Sequence, residues 1–328
     1  MRRAEQAGQQ RDERTAAPDG GTARRAVLGL GAGAALALGA GSPASATPAG
    51  REPGPGPGAN REVRRRLREL ERTHGGRLGV FARNTVTGRT VRYRADETFP
   101  MCSVFKTLAV AAVLRDLNQD GRFLGRRVRY TREFVDTSGG GSVTSEEKNI
   151  SGGMTVYELC SATVNHSDNA AANLLLRELG GPGAITAFCR SIDDPVTRLD
   201  RWEPELNSAE PGRTTDTTSP YAIARSYERL VVGDALTGAA RSLLTGWLLT
   251  NTTGGKRLRA GVPADWALGD KTGSGSYGVA NDVGVAWTPD GVPVVLAVLT
   301  AKDSPDAPWD NTLVESAARL LATALTGD

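Results

Sequence analysis

The sequence predicts a mixed α/β protein of the α+β kind. An antiparallel sheet built from both chain ends is flanked by helices, and an all-helical sub-domain is inserted between the two halves. Three observations predict it. Strand-like apolar runs lie only near the two ends, helical spacing fills the middle, and 328 residues are enough for one large core or two sub-domains. The cleft between the two parts is the expected place for a site.

Taken in order, Thr22-Ala23-Arg24-Arg25-Ala26-Val27-Leu28 leads into the apolar stretch 29–41 and then Ser42-Pro43-Ala44-Ser45-Ala46. Paired arginines, a mildly apolar run and a small-x-small cleavage pattern read as an export signal of the twin-arginine type over residues 1–46. The apolar run is shorter than the ~20 residues of a membrane-spanning helix. Secretion follows as the expectation, with no stable membrane insertion after the signal is removed. Residues 47–60, rich in Pro and Gly, read as a linker.

One domain then occupies 61–328, with 61–103 and 256–328 as its sheet part and 104–255 as its helical part. Val63, Leu67 and Leu70 recur at helical spacing. Leu78–Ala82 and Arg89–Tyr93, joined by Asn84–Gly88, read as a hairpin. Val156–Val164, Ala170–Leu179 and Pro220–Val232 are the clearest helices of the middle. Asp282–Trp287 and Val292–Leu299 read as strands, the latter apolar enough to be buried on both faces, and a helix over about 312–325 closes the chain.

Composition excludes several functions. The formal charge is +3, but Arg2, Arg3, Arg11, Arg14, Arg24 and Arg25 outnumber the acids of the first 46 residues, and the remainder is nearly neutral. That gives no electrostatic reason to expect a nucleic-acid partner. His74 and His166 are the only histidines and Cys102, Cys160 and Cys189 the only cysteines. Their spacing offers no zinc ligand set, so no metal or cofactor is expected. Neither histidine lies in a Gly-x-Ser-x-Gly setting that would point to a Ser-His-Asp hydrolase. Cys102 and Cys160 lie in apolar surroundings and read as small buried hydrophobes.

Three short motifs carry chemistry. Ser103-Val104-Phe105-Lys106 puts a hydroxyl and an amine on one face at the start of a buried helix, where a desolvated lysine can activate the serine. A capping serine beside a solvated lysine is the plain alternative. Ser167-Asp168-Asn169 lies between two helical segments, as functional loop or as helix cap. Lys271-Thr272-Gly273-Ser274-Gly275 offers charge, hydroxyls and close backbone approach, or a polar turn, ahead of a strand-like run.

Together and in this order the motifs resemble the signature of the penicillin-recognising serine enzymes. Arg201-Trp202-Glu203-Pro204-Glu205-Leu206-Asn207 narrows the resemblance to class A serine β-lactamases, over about residues 62–325. The resemblance implies Ser103 as nucleophile and Lys106 or Glu203 as acylation base. It implies Ser167 as proton relay to the lactam nitrogen, and Glu203 with Asn207 as holder of the hydrolytic water. Asn169 would bind the substrate's amide side chain, and Lys271, Thr272, Gly273 and Ser274 its carboxylate side. Arg257 fits one family placement of a helper arginine; its alternative is one more solvated arginine. The backbone N–H groups of Ser103 and Ser274 would form the oxyanion hole, and Arg201 and Asp216 a salt bridge closing the loop. The expected partner is a small β-lactam and the expected state a monomer. A D-alanyl-D-alanine peptidase lacks the glutamate loop, and a β-lactam-binding protein without useful turnover is the other rival.

Two departures stand out. No aromatic residue lies between Phe134 and Tyr157, where the family places one at the mouth of the cleft. A loose, glycine-rich rim over 137–143 is expected instead, with weaker grip on the substrate. The positions that pair with Cys102 and Cys160 in family disulfides hold Gly275 and Val110, so neither bridge is expected.

Overall fold

The computed structural model describes residues 57–326, and the expected export signal over 1–46 lies outside them. Helix α1 is Pro57–His74, followed by strands β1 (Arg77–Asn84), β2 (Thr90–Tyr93) and the short β3 (Phe99–Pro100). The middle holds α2 (Phe105–Ala112), β4 (Arg127–Val128), α3 (Arg132–Thr137), α4 (Glu147–Gly152), β5 (Met154–Thr155), α5 (Val156–Asn165), α6 (Asn169–Leu179) and α7 (Gly183–Ser191). Then come β6 (Thr217–Thr218), α8 (Pro220–Val231), α9 (Gly238–Leu249) and α10 (Leu258–Gly261). Strands β7 (Ala267–Ser274), β8 (Ala280–Trp287) and β9 (Pro293–Ala301) and helix α11 (Asn311–Thr326) complete the chain.

The five-stranded sheet has the order β2-β1-β9-β8-β7 and is antiparallel throughout. It joins the two chain ends directly, with Val80 opposite Val298. Period-two alternation divides β9 between two cores. Val295, Ala297 and Leu299 face the helical side, while Val294, Leu296 and Val298 face α1, α10 and α11. The expectation of a strand buried on both faces holds.

α2 is apolar around its whole circumference apart from Lys106 and Thr107, and every residue of it is buried. A helix of that kind belongs in the middle of a core. The larger core surrounds it with α5, α6, α7 and α9. Local signals fix the ends of its neighbours. Thr155 and Glu158 form a reciprocal capping box on α5, Asp168 caps α6 through Ala171 N–H at 2.9 Å, and Gly180 ends α6 in the left-handed region.

Two boundaries differ from the sequence reading. Residues 57–60 of the expected linker form the first turn of α1, where proline at the first helical position costs no hydrogen bond. The Lys271-Thr272-Gly273 segment precedes strand β8, as expected, but is not a turn: it is the end of another strand, β7. β7 contains two glycines, a lysine and an aspartate, so it lacks an apolar alternation, yet all but its end residues are buried.

Candidate active site

The 3₁₀ turn Cys102–Val104 places Ser103 directly ahead of α2, so Ser103 and Lys106 both point into the cleft between sheet and helices. The residues leading into that turn are anchored from two sides by three hydrogen bonds. Met101 N–H donates to Asp216 O at 2.9 Å, and Asn281 on β8 donates through Nδ2 to Pro100 O at 2.8 Å and Met101 O at 3.3 Å. Cys102, just before the serine, is held at φ 48°, a strained conformation for a residue with a side chain.

Lys106 is fully buried and its Nζ has four acceptors. These are Ser167 O at 2.7 Å, Ser167 Oγ at 3.3 Å, Asn169 Oδ1 at 2.6 Å and Glu203 Oε1 at 3.0 Å. Ser103 Oγ donates to the same Glu203 oxygen at 3.2 Å. Hydroxyl and amine therefore share one carboxylate oxygen, and Asn207 Nδ2 donates to the other. Ser167 sits at φ 55°, which turns its carbonyl and hydroxyl together toward the amine. Asp168 between them faces away as the α6 cap, so both readings of the Ser-Asp-Asn motif apply, to different residues.

The loop carrying Glu203 is fixed at two places. At its ends, Arg201 Nε donates to Asp216 Oδ2 at 2.7 Å, and Asp216 Oδ1 accepts the N–H groups of Asp200 and Arg201 at 2.8 and 2.9 Å. At its centre, Asn173 on α6 accepts Glu203 N–H at 3.0 Å and donates to Glu203 O at 2.8 Å. Sequence reasoning missed Asn173. The signal was there, because an asparagine amid Ala170-Ala171-Ala172 and Leu174-Leu175-Leu176 has to be buried and has to find partners.

Across the cleft, β7 is the edge strand, so its outer backbone groups face the site rather than another strand. Gly273 is required for packing, since a Cβ there would stand 2.8 Å from Met101 O. Lys271 is fully buried and donates to Thr272 O at 2.9 Å. Burial, reinforced by the Lys106 charge and opposed by Asp270, Asp282 and Glu203, pushes its amine down to about 7. Thr272 Oγ1 meets Thr253 Oγ1 at 2.6 Å. Arg257 is buried, not solvated. It donates to Gly273 O at 2.9 Å, Asn281 O at 2.8 Å, Ser274 Oγ at 2.6 Å and Asn311 Oδ1 at 2.7 Å. It thus ties β7 to β8 and to α11 while lining the site.

Ser103, Ser167, Asn169, Asn207, Thr272, Ser274 and Arg257 all line one cavity of about 580 Å³. Glu203 and Lys106 reach the lining residues Ser103 and Ser167 by hydrogen bonds, and Lys271 and Gly273 flank Thr272 on β7, so the candidate residues of the sequence converge here. The rim over 137–143 is not loose as expected. Asp168 accepts Val143 N–H at 3.0 Å, Thr144 N–H at 2.9 Å and Thr144 Oγ1–H at 2.8 Å, and Gly139 lies against Pro204 and Asn169. All three cysteines are free and buried, as expected, and burial pushes the Cys102 thiol up to about 12.

The comparisons agree with this geometry. The model of the β-lactamase enzyme family matches residues 62–325. A β-lactamase of Streptomyces lavendulae is 64% identical over 266 residues, covering 81% of this chain and 87% of that protein. The solved β-lactamase from Streptomyces albus G superimposes with a TM-score of 0.80 at 62% identity, covering 80% of this chain and 99% of that one. An ancestral class A β-lactamase gives 0.76 at 50% identity, covering 80% of this chain and all of that one. This chain belongs to the β-lactamase enzyme family, as a serine enzyme of class A.

Proposed function

We propose that this chain hydrolyses the lactam ring of penicillin- and cephalosporin-type antibiotics through an ester on Ser103, and so confers resistance to them. The observation that carries the reading is the single Glu203 oxygen within reach of both Ser103 Oγ and Lys106 Nζ, with Asn207 holding its partner oxygen.

In the acylation step Ser103 Oγ attacks the lactam carbonyl carbon while its proton passes to the adjacent base. Lys106 and Glu203 are the two candidates. Ser103 Oγ donates directly to Glu203 Oε1 at 3.2 Å, while the hydrogen bonds of Lys106 Nζ go to Ser167 and Asn169, which favours the carboxylate. The developing oxyanion is stabilised by the N–H groups of Ser103 and Ser274. As the C–N bond breaks, Ser167 Oγ delivers a proton to the leaving nitrogen and is resupplied from Lys106 at 3.3 Å, and Lys106 recovers the serine proton from Glu203 across 3.0 Å, leaving the carboxylate free for the next step. In deacylation Glu203 takes a proton from water, the hydroxide adds to the ester carbonyl, and Ser103 leaves with a proton returned to it. Lys271, Thr272, Ser274 and Arg257 hold the substrate carboxylate. Asn169 Oδ1 is occupied by Lys106, which leaves its amide N–H groups for the substrate's side-chain carbonyl.

Mixing the mature protein with nitrocefin tests the whole reading. Repeated turnover is expected, whereas a single stoichiometric burst would identify a binding protein. Glu203→Ala is expected to lower kcat by about 10²–10⁴-fold and to leave an ester on Ser103 detectable by mass. Unchanged turnover in that variant would refute the role of Glu203. The paired arginines and apolar run of residues 22–46 further support export by a twin-arginine route and action outside the cytoplasm.

A further inference from the structure

Trp309 lies in the loop between β9 and α11, far in sequence from every motif, and more than half of it is exposed (57%). The loop around it is nevertheless firmly held. Tyr277 N–H donates to Pro305 O at 3.0 Å and Lys302 N–H to Tyr277 O at 2.7 Å, which binds the loop to the β7–β8 turn. On the other side Asp310 caps α11 through Leu313 N–H at 2.9 Å and meets His74 Nδ1 at 2.9 Å. The indole Nε1–H donates to Gly275 O at 2.9 Å, one residue beyond Ser274. The next residue but one, Asn311, accepts from Arg257. Trp309 thus lines the same cavity as Ser103, at the end where Ser274 and Arg257 converge.

A large aromatic ring kept in water on a rigid loop, with its one polar atom already bonded, has apolar surface left to cover. The opposite rim over 137–143 offers no aromatic surface at all. We propose that Trp309 is a specificity-determining wall of the site. It stacks on the ring fused to the lactam and on a flat substituent carried beside the carboxylate. The proposal rests on the carboxylate being held by Lys271, Ser274 and Arg257, because that places the carboxylate-bearing ring next to the indole. β-Lactams with a planar heteroaromatic substituent at that position are the class it favours.

Two cephalosporins test this, identical except that one carries methyl and the other a heteroaromatic thiomethyl group beside the carboxylate. In wild type the heteroaromatic compound should have the lower KM. Trp309→Ala should move the ratio of the two KM values by about three- to tenfold toward the methyl compound, with the kcat ratio little changed. Trp309→Phe keeps a ring but loses the bond to Gly275, and should retain most of the discrimination. An unchanged KM ratio in Trp309→Ala overturns the proposal. So does an equal loss in the alanine and phenylalanine variants, which would mean that the indole only supports Gly275. Arg257→Ala tests the underlying assignment separately. It should raise KM for both compounds, and if it does not, the carboxylate placement fails whatever Trp309 does.

Discussion

Glu203 receives the Ser103 hydroxyl and the Lys106 amine on one oxygen and the Asn207 amide on the other, so three side chains from two segments fix one carboxylate. Ser103 and Lys106 were legible as a spacing, and Glu203 and Asn207 as a contiguous loop. Asn281, Thr253 and Trp309 were not, because their partners lie on distant segments and nothing local marks them, while Asn173 was marked as buried by its apolar neighbours but not by any sign of its partner. Lys271 makes a pH prediction. With its amine pushed down to about 7, the free enzyme loses that charge as pH rises through neutrality, and with it part of the attraction for a carboxylate. kcat/KM for an anionic substrate is therefore expected to fall on the alkaline side, with the fall reporting the free enzyme. Lys271→Arg, whose guanidinium stays charged, should move that limb to higher pH whatever its absolute rate. A limb at the same pH in both proteins would assign it to another group.

Two elements decide the geometry of the site, α6 and β7. α6 brings Asn169 to the cleft at its first turn, and one turn further on its Asn173 grips the backbone of Glu203. Asn173→Ala leaves two buried backbone groups unpaired, at about 1–3 kcal/mol each. Thermal unfolding should fall by several degrees, about 2–4 °C per kcal/mol for a domain of this size. Because the lost bonds position Glu203, the proposed hydrolytic base, the acyl-enzyme should also accumulate during turnover. Normal steady-state acylation in a variant of lowered stability would mean that Asn173 is a packing residue only. β7 was illegible for a physical reason. Its Ala-Leu-Gly-Asp-Lys-Thr-Gly-Ser sequence has neither alternation nor β-branched density, and tertiary contacts alone impose the strand. Gly269 is pressed against Leu248 of α9 and Gly273 against the turn before Ser103, so the glycines that hide the strand from sequence reasoning are the ones its neighbours require. α5, α6, α8 and α11, by contrast, carried caps and helical spacing and were legible.

At the scale of the molecule, the arrangement of a sheet from both ends with an inserted helical part could be read from where apolar runs cluster, and the fold agrees with that reading. The N-terminal reading is tested by Arg24→Lys with Arg25→Lys. The variant should stay inside the cells that make it, while the wild-type culture fluid or periplasm holds active protein whose scattering mass equals one chain. Equal release of both forms would remove the twin-arginine assignment. The pairing of β1 with β9 has a consequence for synthesis. Arg77 lies opposite Ala301, so the first strand of the sheet to be translated waits beside an empty place until almost the whole polypeptide has been made. Closing so long a loop is slow and comes late. A ribosome-bound fragment therefore has no finished sheet for β7 to edge and no two-sided cleft. The ability to destroy an antibiotic arises all at once, after the last strand has left the tunnel.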